Sequence, residues 1–131
     1  MLSPEEAARF HGHKGPYLAW GYRAAKLAVE ALSPKGIKDM VCRARVPPRT
    51  PFTCVLDGVQ AGSCCTVGKG NLEVEWGDEI VLVFECNGRR LEIRPKADLD
   101  GLMRRLGQEE AFHVVLSLPP NVLFEVKEGG C

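Results

Sequence analysis

The sequence has no surplus of charge of either sign: Lys plus Arg and Asp plus Glu number 17 each, for a formal net charge of zero. Partners that need excess positive charge, nucleic acid and anionic membrane surfaces, are therefore not expected. No apolar run approaches the roughly twenty residues that span a bilayer. The opening Met1-Leu2-Ser3-Pro4-Glu5-Glu6 lacks the basic start and apolar stretch of a signal peptide, so a cytoplasmic protein is expected. There is no Cys-x-x-Cys, hence no closed structural zinc site in the six cysteines Cys42, Cys54, Cys64, Cys65, Cys86 and Cys131. In a reducing compartment these suggest thiol or metal chemistry rather than disulfides. Repeats, low-complexity tracts and linkers are also missing. What remains, 131 residues that are 45% hydrophobic and 26% charged, reads as one globular domain over residues 1–131.

Local patterns predict an α+β fold with a mixed sheet. Ser3 caps a short helix with Pro4 in its first turn, running to about Phe10. A second helix spans Tyr17 to Leu32; its one charged stripe of Arg23, Lys26 and Glu30, on an otherwise small and apolar surface, predicts burial on several sides. Met40–Val46 alternates like a half-buried strand until Pro47-Pro48. Phe52 to Leu56 leads to Asp57, read as the cap of a short helix, and a small-residue loop follows to Gly70. Leu72–Trp76, Ile80–Cys86 and Arg89–Arg94 read as strands, the last two joined by the type I′ signal Asn87-Gly88. Helices from Asp98 to about Leu106 and from Glu109 to Leu116 follow, then a strand at Val122–Val126. The order helix, strand, helix, three strands, with helical additions and a final strand, is an α+β pattern.

Two segments hold the side chains suited to chemistry. His11-Gly12-His13 places two imidazoles two residues apart; on extended backbone both would point to one side and reach one metal ion. They precede the start of the buried helix, where free N–H groups favour an anion or thiolate. Two histidines in a loop are also ordinary loop composition. Cys54 through Leu72 gathers three thiols, Asp57, Gln60 and Lys69 among small residues. Cys64 and Cys65 are neighbours, so one of them at most is expected to face a site. Gly68-Lys69-Gly70 resembles a phosphate loop but lacks Walker A spacing and its Ser or Thr, which leaves a tight turn as the stronger reading. His113, among apolar helix neighbours, is expected to be ordinary. Cys42 and Cys86 read as buried small hydrophobes and Cys131 as a frayed terminus.

Taken together, the segments resemble a known family. Phe10-His11-Gly12-His13 with Gly21-Tyr22-Arg23-Ala24-Ala25, then Cys54-x-x-Asp57-x-x-Gln60 with Cys65-Thr66-x-Gly68-Lys69-Gly70-Asn71-Leu72, is similar to the two signatures of FmdE-like proteins, a family named for its link to formylmethanofuran dehydrogenase. The resemblance implies an α+β core related to the catalytic-domain topology of glyceraldehyde-3-phosphate dehydrogenase, a homodimer, and a cleft holding a divalent transition metal, zinc first with nickel or iron as alternatives. Carried over by residue, His11, His13, Cys65 and Cys54 would be metal ligands. Asp57 and Lys69 would be catalytic neighbours, and Gln60, Thr66 and Tyr17 would meet a ligand. Where the family motif has Cys-Pro-Gly, this chain has Gly15-Pro16-Tyr17, which removes a thiol. Cys64 stands where the family has glycine. The family's C-terminal zinc ribbon has no counterpart, so no structural zinc is expected.

Three readings of function follow. One is a metal-dependent protein acting on a small one-carbon or carboxyl-bearing ligand in formylmethanofuran dehydrogenase-type metabolism. Another is a non-enzymatic accessory or metal-handling protein for a molybdenum or tungsten redox enzyme. The third is a Cys65 thiol enzyme without metal.

Overall fold

The computed structural model describes residues 1–130; the reading of Cys131 lies outside them. The fold is α+β, with the elements in the expected order and one short helix added before the last strand. Helix α1 (Pro4–His11) begins with a capping box: the Ser3 hydroxyl accepts from Glu6 N–H, and the Glu6 carboxylate accepts from Ser3 N–H. Helix α2 (Pro16–Leu32) follows, then strand β1 (Met40–Val46), helix α3 (Cys54–Gly62), and strands β2 (Leu72–Trp76), β3 (Val81–Cys86) and β4 (Arg89–Pro95). Short helices α4 (Leu99–Arg104), α5 (Gln108–Ser117) and α6 (Pro120–Leu123) lead to strand β5 (Phe124–Gly130). Among the described residues no helix is long and apolar enough to cross a membrane.

The five strands form one mixed sheet in the order β2-β1-β3-β4-β5. Only β1 and β2 are parallel, and a parallel pair needs a crossover, which α3 supplies. Helices cover one face, onto which Cys42, Ala44, Leu82, Phe84, Leu91 and Ile93 turn buried side chains. The opposite face is solvated and carries an ion-pair lattice, Arg43 with Glu73 and Glu85, Arg45 with Glu75, in which each exposed pair adds about 0–1 kcal/mol.

Helix α2 lies at the centre. Ten of its residues are buried, and Trp20, fully enclosed, donates its indole N–H to the Leu123 carbonyl at 3.0 Å. Arg23 does not belong to an exposed stripe, as the sequence suggested. It is half-buried, and its Nη1 donates to the carbonyls of Val115, Leu116 and Leu118 at 2.9, 3.0 and 2.7 Å, capping the C-terminal end of α5.

Three local expectations are corrected. Helix α3 starts at Cys54, so Asp57 is a first-turn residue rather than the cap. The apolar run winds into a helix because it packs on α2, and glycines on both helices make that contact close. A Cβ on Gly21 would lie 2.4 Å from the Val55 carbonyl oxygen, and one on Gly58 2.3 Å from that of Leu18. Asp98 makes no side-chain capping bond. Val122 belongs to α6, with the last strand starting at Phe124.

Candidate functional site

The histidine segment is bent rather than extended. His11 is the last residue of α1, and Gly12 caps that helix at φ 111°, donating to the Ala8 carbonyl. That left-handed turn, which favours glycine, brings the two rings together, with centroids 4.7 Å apart and planes tilted by 39°. Gly15 leaves the room they need, since a Cβ there would sit 2.8 Å from His13 Nε2.

His11 Nδ1 lies 2.6 Å from Asp57 Oδ2. A carboxylate can only accept, so Nδ1 carries a proton, and in the neutral ring Nε2 would be the nitrogen left with a lone pair. His11 is 11% exposed and Asp57 38%. Nε2 is buried and has no hydrogen-bond partner among the described residues, an arrangement that costs free energy unless a ligand completes it. Behind Asp57, the Gln60 amide approaches Oδ1 at 3.5 Å while its Oε1 accepts from Val67 N–H at 3.1 Å. Cys54, Asp57 and Gln60 thus follow one face of α3 at three-residue spacing, with Cys54 nearly buried. Burial, and then the charge of Asp57, push the Cys54 thiol pKa up.

The other proposed site residues lie elsewhere. Cys65 is fully buried in the main core, its backbone N–H donating to Ser63 Oγ and its thiol to the Met40 carbonyl at 3.3 Å. Burial raises its pKa, which favours the inert thiol over the thiolate that binds metal or attacks an electrophile. Lys69 turns back on its own loop: its ammonium and its backbone N–H both donate to Thr66 Oγ1, at 3.0 and 3.2 Å. Tyr17 donates its hydroxyl to Asp100 instead of facing the histidines. His113 is exposed on α5. Among the described residues no three His, Cys, Asp or Glu side chains converge as a metal-holding group.

One residue to which the sequence assigned no role organises the central loop. Buried Asn71 accepts from Thr66 N–H at 2.9 Å, and its amide nitrogen faces the carbonyls of Ile37, Met40 and Cys64 at 3.1, 3.2 and 3.1 Å. Its signal was position alone: an Asn directly after glycine and before a strand.

A five-stranded mixed sheet with a buried central helix defines the class, an α+β protein, on which a carboxylate-backed histidine pair is the candidate site. The family described as "FmdE, Molybdenum formylmethanofuran dehydrogenase operon" matches residues 10–124. This chain belongs to the FmdE family. Among solved structures, it is similar to a tungsten formylmethanofuran dehydrogenase FmdE-like protein from Syntrophus aciditrophicus. The two are 24% identical with a TM-score of 0.66, over 97% of this chain and 70% of that one. That likeness is one of fold. No curated protein matches the chain.

Proposed function

We propose that the chain binds a divalent transition metal, zinc before nickel or iron, through His11 and His13. The observation that carries this reading is the buried, unpartnered Nε2 of His11, on a ring whose other nitrogen is held by Asp57 at 2.6 Å. Metal-ligating histidines characteristically donate their second N–H to a carboxylate. Two imidazoles bound to one ion at about 2.1 Å bring their centroids roughly 5 Å apart, close to the observed 4.7 Å. The donor chemistry fits at the histidines and does not fit at Cys65, whose thiol is enclosed and engaged with Met40.

In this reading Asp57 keeps the Nδ1 proton and ring orientation of His11, and Gln60 steadies Asp57. Gly15 gives His13 its place. A bound ion with two protein ligands would supply Lewis acidity to a small carboxyl or one-carbon ligand. The family's operon association supports work alongside a formylmethanofuran dehydrogenase, and a homodimer remains the proposed assembly. A second reading, non-enzymatic metal handling for such a redox enzyme, draws on the same two-ligand set, because an open site releases its ion more readily than a closed four-ligand one.

The test is metal content of the untagged protein by inductively coupled plasma mass spectrometry. About one ion per chain in the parent and in Cys65→Ala, lost in His11→Ala and His13→Ala, is the expected result. A metal-free parent after reconstitution would end the proposal.

A further inference from the structure

Strand β5 closes one side of the sheet, and among the described residues no strand pairs with its outer edge. Residues 125–129 are all exposed, Val126 at 45%. Beyond the Pro95–Phe124 pair and in the same register, Lys96 N–H donates to the Leu123 carbonyl at 3.2 Å. Bonded and unbonded pairs alternate along an antiparallel ladder. Glu125 and Lys127 therefore direct their backbone groups at β4, while Phe124, Val126 and Glu128 direct theirs outward. An edge of this kind is a template for another strand.

The side chains select which strand. Val126 stands opposite Ile93, on the helical side of the sheet, whereas Glu125 and Lys127 stand opposite Arg94 and Glu92 on the solvated side. Arg94 and Glu92 are bonded to each other at 3.1 Å. Neither Glu125 nor Lys127 has an ion-pair partner among the described residues. Outward-facing residues must meet outward-facing residues, which leaves three two-fold antiparallel registers near the middle of the strand. Centred on Glu125 or on Lys127, like charges lie directly opposite, which destabilises a pair of strands. Centred on Val126, each Glu125 lies opposite a Lys127. The other free edge, β2, lacks this property. Glu73 and Glu75 flank its middle residue, Val74, and every central register sets glutamate against glutamate.

We propose that the outer edge of β5 docks a second copy of this chain, the two strands pairing antiparallel about Val126 so that one sheet runs through both copies. Val126 then meets Val126 of the second copy on the helical side, and two Glu125–Lys127 pairs close on the solvated side. This surface would supply the contact of the proposed homodimer without drawing on the metal reading. A single strand pairing buries less than the roughly 1,200 Å² of a standard interface, so a micromolar dimer in rapid exchange is expected.

Sedimentation equilibrium of the full chain, from micromolar to millimolar concentration, should show monomer–dimer association. Val126→Pro removes an outward donor but no bond to β4, a substitution that edge strands tolerate, and should be monomeric with the parent's circular dichroism. Glu125→Lys and Lys127→Glu should each weaken self-association roughly tenfold or more through like-charge contacts. An equimolar mixture of those two variants should dimerise again, because each carries the charge that complements the other. His13→Ala should dimerise as the parent does, whatever its metal content. A parent that is monomeric throughout, a dimer that survives Val126→Pro, charge variants that self-associate like the parent, or a mixture that fails to recover association would each overturn the proposal.

Discussion

Gly58 of α3 lies so close to Gly21 of α2 that a Cβ on Gly58 would be 3.0 Å from the Gly21 carbonyl carbon and 2.6 Å from the Tyr22 nitrogen. The two helices meet backbone to backbone there, and the residue beside Gly58 is Asp57. Gly58→Ala must push the helices apart. It should cost about 1–3 kcal/mol, the scale of overpacking a tight contact, or more because the neighbours are main chain. Urea denaturation would measure the loss.

Asp57→Asn keeps the side-chain shape but puts at risk the acceptor that fixes the His11 tautomer. If His11 and His13 hold a metal, affinity should fall 10–100-fold, the usual effect of removing such a partner. Competition with a chromophoric chelator reads this directly, and unchanged affinity would remove Asp57 from the site.

Cys64 and Cys65 should react very differently. Cys65 is fully buried and its pKa is raised by that burial, whereas Cys64 is half-exposed. Iodoacetamide at neutral pH should label Cys64 well before Cys65, which should stay unmodified in the folded protein, as peptide mass spectrometry would show. Rapid, selective labelling of Cys65 would revive the thiol-enzyme reading.

Tyr17 carries a pH signature. Burial first, and its bond to Asp100 second, raise its pKa above the ordinary tyrosine value. The folded state therefore holds this proton more tightly than the unfolded chain does. The stabilisation is fully present below about pH 10, the unfolded tyrosine value, and is lost as pH rises toward the folded value. Tyr17→Phe should be less stable at neutral pH, and the stability gap should narrow in alkali; denaturation at several pH values compares them.

Arg23→Met should release three carbonyls at the end of α5 at once. A loss of about 1.5–3 kcal/mol is expected for hydrogen bonds from a charged donor, with α5 the first element to lose amide protection in hydrogen exchange.

Much of the fold was legible because local chemistry and tertiary structure agree. Asn87 and Gly88 adopt the positive φ of 53° and 77° that their turn requires, and Ser3 caps α1 as its spacing to Glu6 indicates. The misreadings fall where distant contacts decide. Asp57 looks like a helix cap in isolation, yet α3, packed on α2 through glycines, already begins at Cys54. Arg23 looks like a surface charge until α5 arrives 92 residues later. The two histidine rings do stand side by side, although a left-handed glycine rather than extended backbone joins them. That Cys65 would turn inward toward Met40 could not be seen, because adjacent cysteines offer two opposite sides and no local rule says which is the core.

The candidate site draws His11 and Asp57 from positions 46 residues apart, and its two rings sit on or just beyond an eight-residue helix. A helix that short does not persist alone in water. It is fastened by Leu2 N–H to the Ala61 carbonyl at 3.0 Å and by the Tyr22 hydroxyl to the Leu2 carbonyl at 2.7 Å. Release of this N-terminal clasp would dismantle the histidine pair while leaving the sheet and the α2–α3 contact standing. An occupant of the candidate site would thus be sensitive to local opening of the first dozen residues before global unfolding.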